Sequence, residues 1–234
     1  MLVCLLPCLA CAPVAAAGAR ARVARAQEIV TLLAAHKVYS RPDGRLVASV
    51  SPARPITGES TVLPVLRETI DNSVDPSGRL WLEVRLPGRT LASTPPATGW
   101  ITASRARLGT TPWHIVVDLG ARRVFVYRHG DRVRSFAAVV GKPSTPTPTG
   151  EYFVEEDVRM GAGAPGAPFA LATSDRSDVL HLFEGGPGEI AIHGVENIGG
   201  TLGTAESHGC IRLATSAITW LAERIPAGVP ITIK

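Results

Sequence analysis

Apolar and polar positions alternate in short stretches over the first hundred residues, and each stretch ends at turn-forming residues. The clearest case is 80–86, where Leu80, Leu82, Val84 and Leu86 share one side of a two-residue period while Trp81, Glu83 and Arg85 share the other. That period belongs to a strand with one buried face. Similar runs occupy 29–39, 46–50, 61–67 and 99–101. They are punctuated by Arg41-Pro42-Asp43-Gly44, Asp75-Pro76-Ser77-Gly78 and Pro87-Gly88, residues that set or tolerate turn backbone angles. Residues 27–106 are therefore predicted to form a small β-barrel of short strands, with 107–111 as a linker. Trp81 and Trp100 are expected to pack inside this unit; an exposed pair would instead suit a glycan.

Residues 112–234 read as a second, mainly β unit with one principal helix. Its opening hairpin pairs 115–119 with 122–127 around Gly120-Ala121, and further strands are predicted at 132–139, 152–154, 179–183, 189–193 and 229–233. The helix spans 215–225, capped by Thr215 or Ser216, with Ile218, Leu221, Ala222 and Ile225 as its apolar stripe and Pro226 as its stop. Two loops stand out: the Pro- and Thr-rich 141–150 segment, and 160–169, whose Gly, Ala and Pro content predicts a mobile surface loop that either covers the cleft or is a disordered excursion.

Charge narrows the partners. The formal net charge is +4, but Arg20, Arg22 and Arg25 supply most of it from the first 26 residues. The remainder is close to neutral and gives no support to nucleic-acid binding. Those first 26 residues begin with an apolar run, Leu2 to Ala17, followed by small-x-small triplets at Ala17-Gly18-Ala19 and Ala19-Arg20-Ala21. They predict a secretory signal and an exported protein, in the cell wall or the periplasmic or extracytoplasmic space. Leu9-Ala10 before Cys11 offers a second reading, membrane attachment through lipidation of Cys11. With Cys4, Cys8 and Cys11 in the signal, Cys210 is the one cysteine of the expected mature chain. A lone thiol in an oxidising compartment points to a thiol in use.

The segment 190–213 carries the candidate chemistry. Cys210 follows Gly209, where the missing side chain lets a substrate approach the backbone, and two imidazoles lie near in sequence, His193 and His208. An imidazole can take the thiol proton or pair with the thiolate, and amides around the thiol can hold an oxyanion. A metal site built from His181, His193, His208 and Cys210 is the first rival, but the tight paired spacings of zinc ligands are missing, and no metal or organic cofactor is expected. Papain-type peptidases place Cys before His, the reverse of this order. No serine stands three residues before a lysine, which excludes the serine penicillin-binding arrangement. A non-catalytic cell-wall-binding protein remains a third class.

His193 followed by Ser207-His208-Gly209-Cys210 and Arg212 resembles the signature of L,D-transpeptidase (YkuD-type) catalytic domains. The stretches 115–127, Val140-Gly141-Lys142 and Pro146-Thr147-Pro148-Thr149-Gly150 agree with it. The Trp81 to Ile101 pattern resembles bacterial SH3-like domains. The resemblance implies a mainly β protein, a small SH3-like β-barrel followed by an L,D-transpeptidase-type β-sandwich. It implies Cys210 as nucleophile, His193 as base oriented by the Gly194 carbonyl, His208 in support, and Gly209 with Cys210 as oxyanion donors. Arg212 would bind a substrate carboxylate or brace its loop, and Ser207 would lie among the substrate-contacting residues, as a hydrogen-bonding prop and not a second nucleophile. The implied substrates are peptidoglycan stem peptides: attack at the third residue of a tetrapeptide releases D-Ala and the acyl group passes to a neighbouring amine, or to water in an L,D-carboxypeptidase. Carbapenem-type β-lactams are the implied inhibitors.

Overall fold

A computed structural model of the chain describes residues 23–71, 78–183 and 185–234. Most of the expected signal, with Cys4, Cys8 and Cys11, and the Asp75-Pro76-Ser77 turn lie outside the described residues.

The N-terminal unit is a seven-stranded antiparallel sheet: β1 (Gln27–Leu32), β2 (His36–Tyr39), β3 (Leu46–Val50), β4 (Val62–Asp71), β5 (Arg79–Arg85), β6 (Thr98–Thr102) and β7 (Ala106–Thr111), in the order β3-β2-β6-β5-β4-β1-β7. The alternation of 80–86 has its expected effect, since Leu82, Val84 and Leu86 join the buried cluster with Val30, Val38, Leu63 and Ile101. Trp81, on the other face, is also buried, with Tyr39 edge-on to it at 5.4 Å. Trp100 is buried beneath Arg67, so the two indoles form no exposed pair. The expected linker is a strand: 106–111 pair with β1 from Gln27↔Thr111 to Leu32↔Ala106. This edge strand exposes most of its side chains, so it carries no apolar period; its backbone hydrogen bonds alone make it a strand.

Pro112 alone separates β7 from the second unit. There β8 (Trp113–Asp118), β9 (Arg123–Arg128), β10 (Asp131–Gly141), β11 (Gly150–Arg159), β12 (Phe169–Arg176), β13 (Glu189–Gly194), β14 (Ala205–Ser207), β15 (Ile211–Leu213) and β16 (Pro230–Ile233) order as β14-β10-β15-β13-β12-β11-β16-β8-β9. The first half of β10 also pairs with β9, so the sheet closes on itself. The enclosed core holds Ile115, Val117, Val124, Val126, Leu171, Ile192, Ile211 and Leu213.

Two local expectations fail. The helix α1 (Thr215–Ala222) has Ala214 at its N-cap without a side-chain cap, because the Thr215 hydroxyl donates instead to Glu196 Oε1 at 2.6 Å. It ends before Ile225, which stays buried through a tightened turn in which the Ile225 and Arg224 amides both donate to the Leu221 carbonyl. Residues 179–183 are not a strand. Phe183 and Gly186 exchange backbone hydrogen bonds in a short exposed tip, and Val179, Leu182 and Phe183 find no sheet to pack against.

The two units share side chains. On β11, Val154 points into the second core while Phe153 enters the N-terminal one, as period-2 alternation requires. A bulge between Val154 and Glu156 then breaks that alternation. Glu155 and Glu156 consequently both reach the N-terminal unit, where they meet Arg54, Gly88 and Thr57. Because Phe153 is, among the described residues, the second unit's one contribution to that buried cluster, Phe153→Ala is expected to destabilise the protein by about 3–5 kcal/mol. Urea unfolding will measure this; a loss well below 1 kcal/mol would mean that the two units do not depend on each other.

Candidate active site

Strands β13 and β15 run parallel with Ile192 opposite Ile211 and His193 opposite Arg212. Ile190, Ile192, Ile211 and Leu213 fill the core from one face. The two-residue period puts Ala191, His193, Cys210 and Arg212 together on the other. Cys210 enters β15 from a tight turn that its neighbours hold shut. Ser207 Oγ donates to the Cys210 carbonyl at 2.6 Å and accepts the Gly209 amide at 3.1 Å. Gly209 has φ +123°, and a Cβ there would lie 2.7 Å from Ile190 Cδ1, so only glycine fits.

The 141–150 loop cradles this turn. Thr147 Oγ1 donates to the Gly209 carbonyl at 2.6 Å and accepts the Gly141 amide at 3.0 Å. Thr145 Oγ1 and the Lys142 amide both donate to the Ser207 carbonyl, at 3.2 and 3.0 Å. Both threonines are buried. The prolines limit the backbone and the threonines supply the donors, which explains the composition of the loop.

His193 is buried, and its Nδ1 sits 2.7 Å from the Gly194 carbonyl. A carbonyl only accepts, so the proton of the neutral ring is on Nδ1 and Nε2 keeps a lone pair. Burial, the main cause, and Arg212 lower the His193 pKa, outweighing the upward pull of the Gly194 bond. The 160–169 loop is anchored at its far end: the Gly194 amide donates to the Gly166 carbonyl at 2.8 Å, and the Gly166 amide donates to the Glu196 carbonyl at 2.7 Å. A Cβ on Gly166 would lie 2.4 Å from His193 Nδ1. The loop, expected either to cover the cleft or to be a disordered excursion, walls the imidazole.

Cys210 keeps partial exposure as a residue while its sulfur is closely surrounded. The thiol donates weakly to the Glu189 carbonyl at 3.8 Å. Burial pushes its pKa up, and Glu189 and Asp175 act in the same direction against the opposing Ala191 amide and Arg212. Among the described residues no hydrogen bond joins this thiol to His193. Arg212 is 8% exposed; one Nη donates to the Gly199 carbonyl at 3.2 Å, and its Nε has no partner. His208 is exposed, stacked against Phe183 at 6.0 Å with Lys142 Nζ 3.3 Å from its Nε2. His181 stands exposed on the 179–183 tip.

Residues 112–233 match the family profile of the YkuD L,D-transpeptidase catalytic domain, just over half of the chain. The chain belongs to this family. YkuD of Bacillus subtilis is 32% identical over 125 residues, covering 53% of this chain and 68% of that protein. L,D-transpeptidase 1 of Mycobacterium tuberculosis is 27% identical over 122 residues, which is 50% of this chain and 49% of its own length. An L,D-transpeptidase structure from Mycobacterium smegmatis overlays with a TM-score of 0.40 at 21% identity, covering 67% of this chain and 90% of that one.

Two of the residues expected at the site have other work. Ser207 has no accessible surface, and its hydroxyl is engaged within the turn, which it props shut. The Gly209 amide is held by Ser207 Oγ and is not free to meet an oxyanion. Asp175 was not legible in the sequence. Neither of its buried oxygens has a hydrogen bond of normal geometry, since the Tyr152 hydroxyl beside it donates to the Thr149 carbonyl at 3.1 Å. Burial raises the Asp175 pKa from 3.8 to about 7. A carboxyl with a raised folded-state pKa favours the fold at low pH, and that contribution is lost as pH climbs from about 4 to about 7. Asp175→Asn should therefore be more stable than wild type at pH 8, by about 2–4 kcal/mol at most, with the gap closing towards pH 4. Urea midpoints at the two pH values will test this; a variant less stable at pH 8 would mean that the carboxylate is ionised and compensated.

Proposed function

We propose that the protein is an exported peptidoglycan L,D-transpeptidase that works through a thioester on Cys210. The observation that carries the reading is the tautomer of His193: with Nδ1–H given to the Gly194 carbonyl, Nε2 is the atom left to take a proton on the face it shares with Cys210. The directions of the two pKa values favour a resting pair of neutral thiol and neutral imidazole over an ion pair. Proton transfer then accompanies attack, as general-base catalysis. The missing thiol–imidazole hydrogen bond is compatible with this, because such contacts tighten when substrate binds.

In the first half-reaction, Cys210 Sγ attacks the carbonyl of the third stem residue as His193 Nε2 takes the thiol proton. The Cys210 amide is our candidate donor to the oxyanion, with the Gly209 amide already engaged. Collapse breaks the C–N bond, and His193 returns its proton to the departing D-Ala amine, leaving the thioester. In the second half-reaction, an amine of a neighbouring stem gives a proton to His193 and attacks the thioester, and the thiol leaves protonated. Water in place of the amine would give the carboxypeptidase outcome. The bond from Arg212 to the Gly199 carbonyl favours the bracing role for this side chain, since its unpartnered Nε is buried. The exposed His208 supports the rim. We read the N-terminal sheet as an SH3-like accessory domain.

Carbapenem-type β-lactams offer a strained amide carbonyl to the same thiol. Intact-protein mass spectrometry of purified protein mixed with a carbapenem is expected to show one adduct, absent from Cys210→Ala. A folded wild type that forms no adduct would remove the transpeptidase reading. The acid limb of the acylation rate should fall below pH 6.5, the ordinary histidine value, because the His193 pKa is lowered. A limb at or above 6.5 would assign the base elsewhere.

A further inference from the structure

Behind the thiol, the carboxylates Glu155, Glu156 and Glu189 share the guanidiniums of Arg54 and Arg176 at the junction of the two units, with the Asp175 carboxyl near Arg176. The arrangement is stepwise. Arg54, on the segment after β3, pairs with Glu155 and lies 3.8 Å from Glu156. The Gly88 amide, also from the N-terminal unit, donates to the other oxygen of Glu155 at 2.7 Å. Arg176 on β12 divides one Nη between Glu155 at 3.5 Å and Glu189 at 3.4 Å. Glu189 is the residue whose main-chain carbonyl accepts the Cys210 thiol. Glu155 has no exposed side-chain surface and Arg176 only 8%, so solvent screens this path poorly.

We propose that Arg54 of the N-terminal unit is a positioning residue for the Cys210 thiol, acting across the unit boundary through Glu155, Arg176 and Glu189. This rests on Cys210 being the reacting thiol. By pairing with Glu155, Arg54 leaves Arg176 free to face Glu189. Without it, Arg176 is drawn to Glu155, and the Glu189 carboxylate, whose charge already acts against the thiolate, loses its compensation. The Coulombic influences on Glu189 agree in sign: Arg54 and Arg176 favour its ionised form, while Glu155 and Glu156 oppose it. The charged and titratable groups around the thiol are Asp175 and Arg176 from β12, Glu189 and His193 from β13, Arg212 from β15, and His208 on the turn. Removing Arg54 draws the Arg176 charge away from Glu189 within this set, which disfavours the thiolate.

The test is the pH dependence of Cys210 alkylation by iodoacetamide, followed by intact mass, in the whole chain and in Arg54→Ala, Arg54→Lys and Glu156→Gln. Arg54→Ala should move the profile to higher pH and slow alkylation at neutral pH by about two- to fivefold. Arg54→Lys, which keeps the charge, should stay near wild type. Glu156→Gln, whose amide oxygen can still accept from Thr57, should move the profile to lower pH. A folded Arg54→Ala with the wild-type profile would overturn the proposal, even with a lowered melting point, because Arg54 would then be structural only. So would Glu156→Gln moving alkaline, or Arg54→Lys shifting as far as Arg54→Ala. Should Arg54→Ala fail to fold, Glu156→Gln decides: an acid shift supports the proposal and an unchanged profile overturns it. Alkylation needs no substrate recognition, so wild type inert to carbapenem and an unshifted Arg54→Ala profile are separate results.

Discussion

The parallel register of β13 and β15 is the constraint on which the site depends. With Ile192 opposite Ile211, the isoleucines and Leu213 must face the core. His193, Cys210 and Arg212 are then carried to the opposite face without further adjustment. A slip by one residue would turn the imidazole and the thiol into the apolar core and push the isoleucines out of it, at a cost of several buried aliphatic side chains. The hydrophobic core thus sets the register, and the register sets the chemistry.

Register alone leaves the thiol at the end of a short strand, and two other devices hold it. One is the closed turn at 207–210, in which the Ser207 hydroxyl both donates and accepts while Thr145 and Thr147 bind its carbonyls from the 141–150 loop. The other is the wall at Gly166, where backbone lies against the imidazole so closely that no side chain fits. Each replaces water with fixed protein groups around His193 and Cys210. That is also why both pKa values move towards the neutral forms.

The junction between the two units follows the same economy of strand geometry. One bulge in β11 turns two consecutive glutamates towards the N-terminal unit after Phe153 has already entered its core. Buried carboxylates hold charge only where cations and amides meet them. Glu155 accordingly collects Arg54, Arg176 and the Gly88 amide, and Glu156 collects Thr57 through both its amide and its hydroxyl. The N-terminal sheet is therefore continuous with the packing and electrostatics behind the thiol.

Much of this was legible from local pattern. The alternation at 80–86, the hairpin around Gly120-Ala121 and the apolar stripe of α1 each record a periodic burial that sequence displays directly. The spacing of His193, Ser207, His208, Gly209 and Cys210 was enough to point to the family. What sequence could not display was anything fixed by a partner distant along the chain. Strand β7 has no apolar period because its side chains stay in water, so it read as a linker. The 179–183 run is apolar apart from His181, yet no sheet edge receives it. Ser207 and Gly209 read as substrate and oxyanion groups, but they close a turn whose hydrogen bonds appear only once the chain is folded. Gly166, Asp175 and Arg54 carried no local signal, since each acquires its meaning from a neighbour at least ten residues away. Periodicity reports which face is buried, and only tertiary structure decides what that face is buried against.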